Sequence, residues 1–504
     1  MIEMAAQSVG AAIEEAVKAV DGRVPSHIPL AKSNPREYWR RVRTLYRSSL
    51  AVIVGNILEW YDWTVFGYMQ DILKDVFVSG SGQQAWLLFA VPFLARPFGS
   101  LVFGWIGDTC GRALSLQLAI WGMAVATALQ GCLVPSLPGI TWILAALRLV
   151  TGLSAGGESA GVNTYMSEFG EEGREHTLAA AIGVNNVSGS LAFFLANAVS
   201  LAVHQLPRET QLAWGWRIPF LLAAPLGVVS VLLRRGIKET SQFQRKRNED
   251  LSCQTAAGII PDLQDSCGES CDDSHGRSSE DSIEDSEQQK PPRPSASLRR
   301  LRTFASRAVL AALVLAAVTS CNYLPIYLVS WLEEAGLQPS VALSIAAAAK
   351  VTQVLATLPV SFAADRAGTV SVMMCGGAAT GVFAVPFLWF VGETSHWPGY
   401  ITAFLVLGFL LPVFISIYLV PSPLFMTSLF PMEQRGRGAG LCLGLASVVA
   451  GLMPAAASSL AKHGYLWPGA LISFLILPSL LLLACAKRAA ARGHLTVFQR
   501  PWLF

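Results

Sequence analysis

Charge is scarce in this chain. Lys, Arg, Asp and Glu together make up 14% of its 504 residues, against 53% hydrophobic residues and a mean hydropathy of +0.46. Apolar content of that size exceeds what one or several soluble cores require, which excludes a soluble protein. Paired cysteines are lacking as well. Nine is an odd number, several lie inside apolar runs, and their spacing suggests no disulfide framework. Cys267 and Cys271 fall in a hydrophilic stretch without accompanying histidines, so no metal site is expected there. The chain shows no Gly-x-x-x-x-Gly-Lys-Ser/Thr phosphate loop, no His-rich constellation and no soluble catalytic domain. An enzyme is therefore not expected, nor any bound cofactor. The net charge of +3 points to no nucleic-acid partner. With Glu3, Glu14 and Glu15 and no basic segment ahead of an apolar core, the start has the form of neither a secretory signal nor an Arg-rich transit peptide. The first span is expected to serve as an uncleaved insertion signal.

Long apolar runs are what the chain has in quantity. They reach roughly twenty residues or more, enough to cross about 30 Å of hydrocarbon at about 1.5 Å per residue. An all-α integral membrane protein follows. Residues 1–47 form a polar tail that turns basic at Arg36, Arg40, Arg41, Arg43 and Arg47. Six spans are expected within 48–234, near 48–73, 84–106, 114–133, 140–165, 176–203 and 216–233. Residues 235–303 shift to Ser, Asp, Glu, Gln and Pro, with an acidic run from Ser278 to Ser286. Such a composition buries no core and reads as a disordered linker, with serines suited to a kinase. Six more spans are expected within 304–486, near 304–331, 340–364, 370–391, 400–424, 438–461 and 469–486, followed by a tail at 487–504.

Basic residues recur on alternate connections: the first tail, the Arg112 turn, the Arg174 loop, the linker, the Asp365-Arg366 turn, the Glu433 to Arg437 turn, and Lys487 with Arg488. The positive-inside rule places these, and both termini, in the cytoplasm. The plasma membrane and a monomeric state are the expectations.

Two carboxylates interrupt the first apolar run, in Gly55-Asn-Ile-Leu-Glu-Trp-Tyr-Asp-Trp63. An ionisable side chain in hydrocarbon costs a few kcal/mol even on lenient scales, so it usually faces a water-filled cavity or a partner. Glu59 and Asp62 are neighbours on one helical face, with Asn56 a turn earlier. There is also an internal repeat: Asp108-Thr-Cys-Gly111 ends the second span, and Asp365-Arg-Ala-Gly368 ends the eighth. Matching positions in two halves are the trace of a transporter whose two bundles rock about a central site.

At these residues the chain resembles the major facilitator superfamily, whose loop pattern Gly-x-x-x-Asp-basic-x-Gly-Arg is met by Gly104, Asp108, Gly111 and Arg112. Thr109 stands where a basic residue is usual; in the second half Arg366 keeps it and Thr369 replaces the following Arg. Gly55 to Asp62, Arg96-Pro-Phe-Gly99, Gly152 to Glu158, and Gly215 to Phe220 with Glu239-Thr240 are similar to the metabolite:proton symporters that carry proline and betaine, α-ketoglutarate, shikimate or citrate. The resemblance implies the major facilitator fold, twelve helices in two pseudo-symmetric six-helix bundles. It also implies a secondary transporter working by alternating access, driven by a proton gradient.

Proton coupling needs a carboxyl that is protonated facing one side and ionised facing the other. Glu59 and Asp62 are the candidates, with Arg96 and Arg148 as the cations that tune them; which carboxyl titrates stays open. Arg96 lies about 18 Å along the second span from Asp108, so it either exchanges partners with substrate or forms a permanent ion pair. Lys350 lies about 22 Å from Asp365, where it either holds an anionic group or snorkels outward. Asn56, Tyr61, Arg96, Asn322, Tyr323, Tyr327, Lys350 and Gln353 are the candidate substrate ligands. Trp60, Tyr61 and Trp63 either wall a cavity or pack. Asp108, Arg112, Glu158, Asp365 and Arg366 are the candidate cytoplasmic gate, or for the loop charges simply anchors in water. Proton symport of a small organic acid or zwitterion is the leading reading. The alternatives are a facilitative sugar or polyol carrier, although the Pro-Glu-Ser-Pro-Arg signature is missing after the sixth span, and a nutrient receptor signalling through the linker.

Overall fold

The computed structural model describes residues 30–78, 82–172, 178–234, 296–334, 336–394, 399–431, 434–461, 463–464 and 466–497. The Ser278 to Ser286 tract lies outside them. Helix α1, Pro35–Ser48, precedes the spans. The first bundle contains α2 (Leu50–Tyr68, continued by Gln70–Phe77), α3 (Gly82–Thr109), α4 (Arg112–Gly131), α5 (Ile140–Glu172) and α6 (Leu178–His204). Its sixth span runs from Arg208 through a wide turn at Gln211–Gly215 into α7 (Ala223–Arg234). The second bundle contains α8 (Ala296–Glu334), α9 (Pro339–Ala367), α10 (Thr369–Thr394), a tenth span centred on α11 (Leu411–Leu419), α12 (Arg435–Ala461) and α13 (Leu466–Ala491). Among the described residues there is no strand.

Eleven helical stretches are long and apolar enough to cross a membrane. The twelfth, α2, is the one whose hydropathy is lowered by Asn56, Glu59 and Asp62, so the residues that mark its function also dilute its signal. It packs inside the first bundle against α6 and α7. The protein is a multi-pass membrane protein of two six-helix bundles.

Two seams join the bundles. One is α3 against α12, the other α6 against α9. The first is close because Gly444 faces the Pro97 backbone, where a Cβ would stand 2.7 Å from the proline Cα; small residues let helix backbones approach in this way. The α3–α4 and α9–α10 reversals turn on Gly111 and Gly368, with φ of 115° and 100°, a backbone region open to glycine and costly for other residues.

Residues 30–48, read from sequence as tail, are largely helical. Pro35 sits at the first helical position and the Asn34 side chain accepts from the Glu37 N–H at 3.2 Å, which together start α1. Tyr38, Val42, Leu45 and Ser49 are buried while Arg36, Arg40, Arg43 and Arg47 are exposed. This amphipathic pattern was masked in the sequence by the density of arginines.

Candidate functional site

The polar residues of α2 divide between two directions. Asp62 turns into the first bundle, where its Oδ2 lies 3.2 Å from Arg148 Nη1 and its Oδ1 accepts from Thr127 Oγ1 at 2.6 Å. Arg148 is fully buried, with its guanidinium 4.1 Å from the centre of the Phe66 ring. This is an ion pair internal to one bundle. Tyr61 also stays inside, donating to the Pro219 carbonyl at 2.8 Å. Tyr61, expected among the substrate ligands, does not line the cavity beside Arg96, and its hydroxyl ties α2 to the sixth span.

Glu59 turns the other way, toward the second bundle. Its Oε1 accepts from the Ser159 hydroxyl and lies 3.7 Å from Arg96 Nη2. Oriented by its neighbours, the Asn56 amide donates to Glu59 Oε2 at 3.1 Å and accepts from Ser188 Oγ at 2.6 Å and Trp60 Nε1 at 3.1 Å. Arg96 Nη1 then donates across the interface to the phenolic oxygen of Tyr323 at 3.3 Å. The guanidinium also lies 4.8 Å from the centre of the Phe93 ring. A chain of contacts thus runs from Asn56 through Glu59 and Arg96 to Tyr323, from one bundle to the other.

Beside it lies a cavity of about 50 Å³ bounded by Trp60, Arg96, Ser159, Asn163, Asn185, Asn322, Tyr323 and Ser447, among others. That is room for a few water molecules and too small for a metabolite. Trp63, Phe93 and Tyr323 close it toward the Tyr68 end of α2, with ring centres 4.3 Å apart for Trp63 and Tyr323. Asn322 lines the cavity on one side and accepts from Lys350 Nζ at 2.9 Å on the other.

Lys350 is 1% exposed, so it does not snorkel. Its ammonium donates to Asn322 Oδ1, to the Asn322 carbonyl and to Gln353 Oε1, and lies 3.8 Å from the centre of the Phe193 ring. Among the described residues no carboxylate pairs with it. Phe193 in turn meets Trp60 and Trp63, so an aromatic wall separates the Lys350 and Arg96 cations. Tyr327 is buried in α8 but does not line the cavity.

At the end of the bundles where Asp108 and Asp365 lie, both bind the opposite bundle. Asp108 Oδ2 pairs with Arg437 Nε at 2.9 Å. Asp365 accepts from the Ala179 and Ala180 N–H groups at 3.1 and 3.4 Å, at the start of α6, and from the Tyr38 hydroxyl at 3.0 Å. Arg366 is exposed and contributes nothing to this contact, because it faces outward from the end of α9. Glu158 is buried in α5. The Arg112 side chain lies outside the described residues.

Sequence reasoning missed Arg437, Tyr38, Ser159, Asn163, Asn185 and Thr127. The Asn and Ser residues carried a usable signal, being polar positions in apolar spans. Tyr38 and Arg437 carried none until the chain was folded.

The sugar (and other) transporter family matches residues 48–486. The ectoine/proline transporter ProP of Corynebacterium glutamicum is 30% identical over 406 residues, covering 77% of this chain and 73% of that protein. The α-ketoglutarate permease of Escherichia coli is 30% identical over 407 residues, covering 79% and 83%. In fold, the chain is similar to the proton:xylose symporter XylE bound to 6-bromo-6-deoxy-D-glucose, with a TM-score of 0.66 at 15% identity, covering 88% of this chain and 95% of that one. These relatives are transporters and not enzymes, and the twelve-helix, two-bundle fold is theirs. The chain belongs to the sugar (and other) transporter family of the major facilitator superfamily.

Proposed function

We propose that the protein is a proton symporter for a small organic acid or zwitterion, with Glu59 carrying the proton and Arg96 receiving the substrate carboxylate. One observation carries this reading: Glu59 is buried against a hydroxyl, an amide and a guanidinium that reaches the other bundle. Ser159 can donate to an ionised carboxylate or accept from a protonated one, so both states keep a hydrogen bond. When Glu59 is ionised, it holds Arg96. When it is protonated, Arg96 loses its nearest counter-charge and is free to bind a carboxylate, which couples proton and substrate occupancy.

The aromatic wall of Trp60, Trp63 and Phe193 suits an ammonium group, since cations are attracted to ring faces. A zwitterion would place its carboxylate at Arg96 and its ammonium against the rings. The similarity to ectoine/proline and proline/betaine transporters supports that class, and the similarity to α-ketoglutarate and shikimate transporters supports a plain acid. Alternating access then requires the Asp108 and Asp365 contacts to open while the Trp63–Tyr323 contact holds, and the Trp63–Tyr323 contact to open while they hold. The end bearing Asp108 and Asp365 is cytoplasmic in this reading, in a monomer at the plasma membrane that uses a proton gradient and no cofactor.

The test is uptake by purified protein in proteoliposomes, with proline, betaine, α-ketoglutarate and shikimate as probes. Symport predicts accumulation driven by external acid and abolished by an uncoupler. Uptake that equilibrates without regard to the gradient would replace symport with facilitated diffusion, and ligand binding without flux would replace it with a receptor.

A further inference from the structure

Helix α1 crosses from one bundle to the other. At Ser49 it joins α2 of the first bundle, and at its other end Tyr38 and Trp39 pack on Phe362 of α9 in the second, with ring centres 5.3 and 5.6 Å away. A helix of this length spans about 21 Å, and joining α2 to α9 makes it run across the bundle ends rather than along the spans. Its buried stripe, Tyr38, Val42 and Leu45, faces the protein. Its opposite stripe, Arg36, Arg40, Arg43 and Arg47, is exposed, with Lys32 exposed just ahead of it and Trp39 40% exposed.

The acid on this helix does not cancel the stripe. Glu37 is held by Arg40 at 2.6 Å and Arg41 at 2.9 Å, and those guanidiniums keep its carboxyl down to about 2. It offsets one charge. Asp365, the nearby acid of α9, is buried and faces inward to Tyr38 and the start of α6. Arg366 beside it is exposed and adds another cation. Basic stripes on amphipathic helices next to a span attract anionic leaflets, each Lys or Arg contributing about fivefold in membrane partition.

We propose that the exposed face of α1 is a docking surface for anionic lipid headgroups of the leaflet in which α2 begins. Its two faces then act together: the apolar one binds Asp365 and α9, the basic one binds lipid phosphate. Anionic lipid holds α1 across the two bundles and favours the arrangement in which Asp365 is engaged.

Hydrogen exchange of the 30–48 segment, in full-length protein in nanodiscs of phosphatidylcholine with or without phosphatidylglycerol, tests this. Exchange is expected to slow by about tenfold or more with phosphatidylglycerol, and to return to the phosphatidylcholine rate in high salt. The variant with Arg36, Arg40, Arg43 and Arg47 all changed to Gln should lose the lipid response, while the same four changed to Lys should keep it. Transport by the Gln variant in phosphatidylcholine provides the check that it folds. Equal protection in both lipids overturns the proposal, as does a lipid response that survives in the Gln variant or disappears in the Lys variant. Protection that falls with salt equally in both lipids points to pairing within the protein and overturns it too.

Discussion

Replacing Glu59 by glutamine removes one charge and little else. Glutamine keeps the length of the side chain and can still bond to Ser159 and Asn56, so packing of α2 against α5 and α6 is preserved. What changes is the field at Arg96. Two unit charges about 4 Å apart attract by on the order of 4 kcal/mol at the effective dielectric of a protein site, and the 3.7 Å between Glu59 and Arg96 lies in that range. Loss of that attraction imitates permanent protonation. Arg96 becomes free for substrate in every state, and no proton can be released on the far side of the membrane. Glu59→Gln should therefore abolish gradient-driven accumulation while exchange of labelled for unlabelled substrate continues across the same membrane. The assay is a pair of proteoliposome measurements, acid-driven uptake and counterflow at equal pH. Accumulation at the wild-type level in the variant would refute proton carriage by Glu59. Loss of both activities in a folded variant would make Glu59 a structural partner of Arg96 rather than a carrier.

Asp62→Asn should behave differently, because it leaves Arg148 buried in the first bundle without its counter-charge; breaking such a pair costs about 3 to 5 kcal/mol, read as a fall in Tm and in yield. The double change Asp62→Asn with Arg148→Met should recover most of that stability and retain acid-driven uptake, and its failure to couple would reassign the proton to Asp62. Lys350→Gln is expected to raise the Kd for a dicarboxylate such as α-ketoglutarate, whose second carboxylate would reach past the aromatic wall from Arg96, by about 10- to 100-fold, the range of one hydrogen bond to a charged group, and to leave that of a zwitterion unchanged, both measured by equilibrium binding; an unchanged dicarboxylate Kd would confine Lys350 to packing with Phe193. Tyr38→Phe deletes a hydroxyl that donates to Asp365 and should shift the gate toward opening by about fivefold, from a bond contributing about 1 kcal/mol. Spin-label distances across the α6–α9 seam would show the shift, and an unchanged distribution would detach Tyr38 from the gate.

The spans were legible because hydrocarbon thickness forces length and composition on each helix. Pro339–Ala367 and Arg435–Ala461 contain the expected 340–364 and 438–461 almost residue for residue. The polar sites were legible as residue types and illegible as pairs. Glu59 and Asp62 are three positions apart, and this spacing gave them one face; yet a face about 100° wide can look toward two neighbours. Asp62 meets Thr127 and Arg148 of its own bundle, and Glu59 meets Ser159 and Arg96 at the interface. The direction of each depends on where α4 and α5 stand relative to α3, which periodicity does not encode. Lys350 shows the same limit: its depth was readable, but Asn322 and Phe193, which hold it, lie far away in the chain.

The two halves place an aspartate at the same point and give it different partners. Asp108 meets a guanidinium at the start of α12, and Asp365 meets backbone N–H groups at the start of α6. Both therefore bind the beginning of a helix in the other bundle, but not with equal strength. The Arg437 side chain is 42% exposed, and an ion pair with one partner that open contributes about 1 kcal/mol or less and weakens with salt. Asp365 is 1% exposed, accepts from three donors and sits at a helix N-terminus, where the aligned peptide dipoles favour an anion. The contact at the α3–α12 seam is consequently expected to be the more sensitive to salt of the two, and that at the α6–α9 seam, which α1 also spans, the less sensitive. Raising salt should therefore loosen the Asp108 contact before the Asp365 contact, and spin-label distances across the two seams that lengthen together would refute this order.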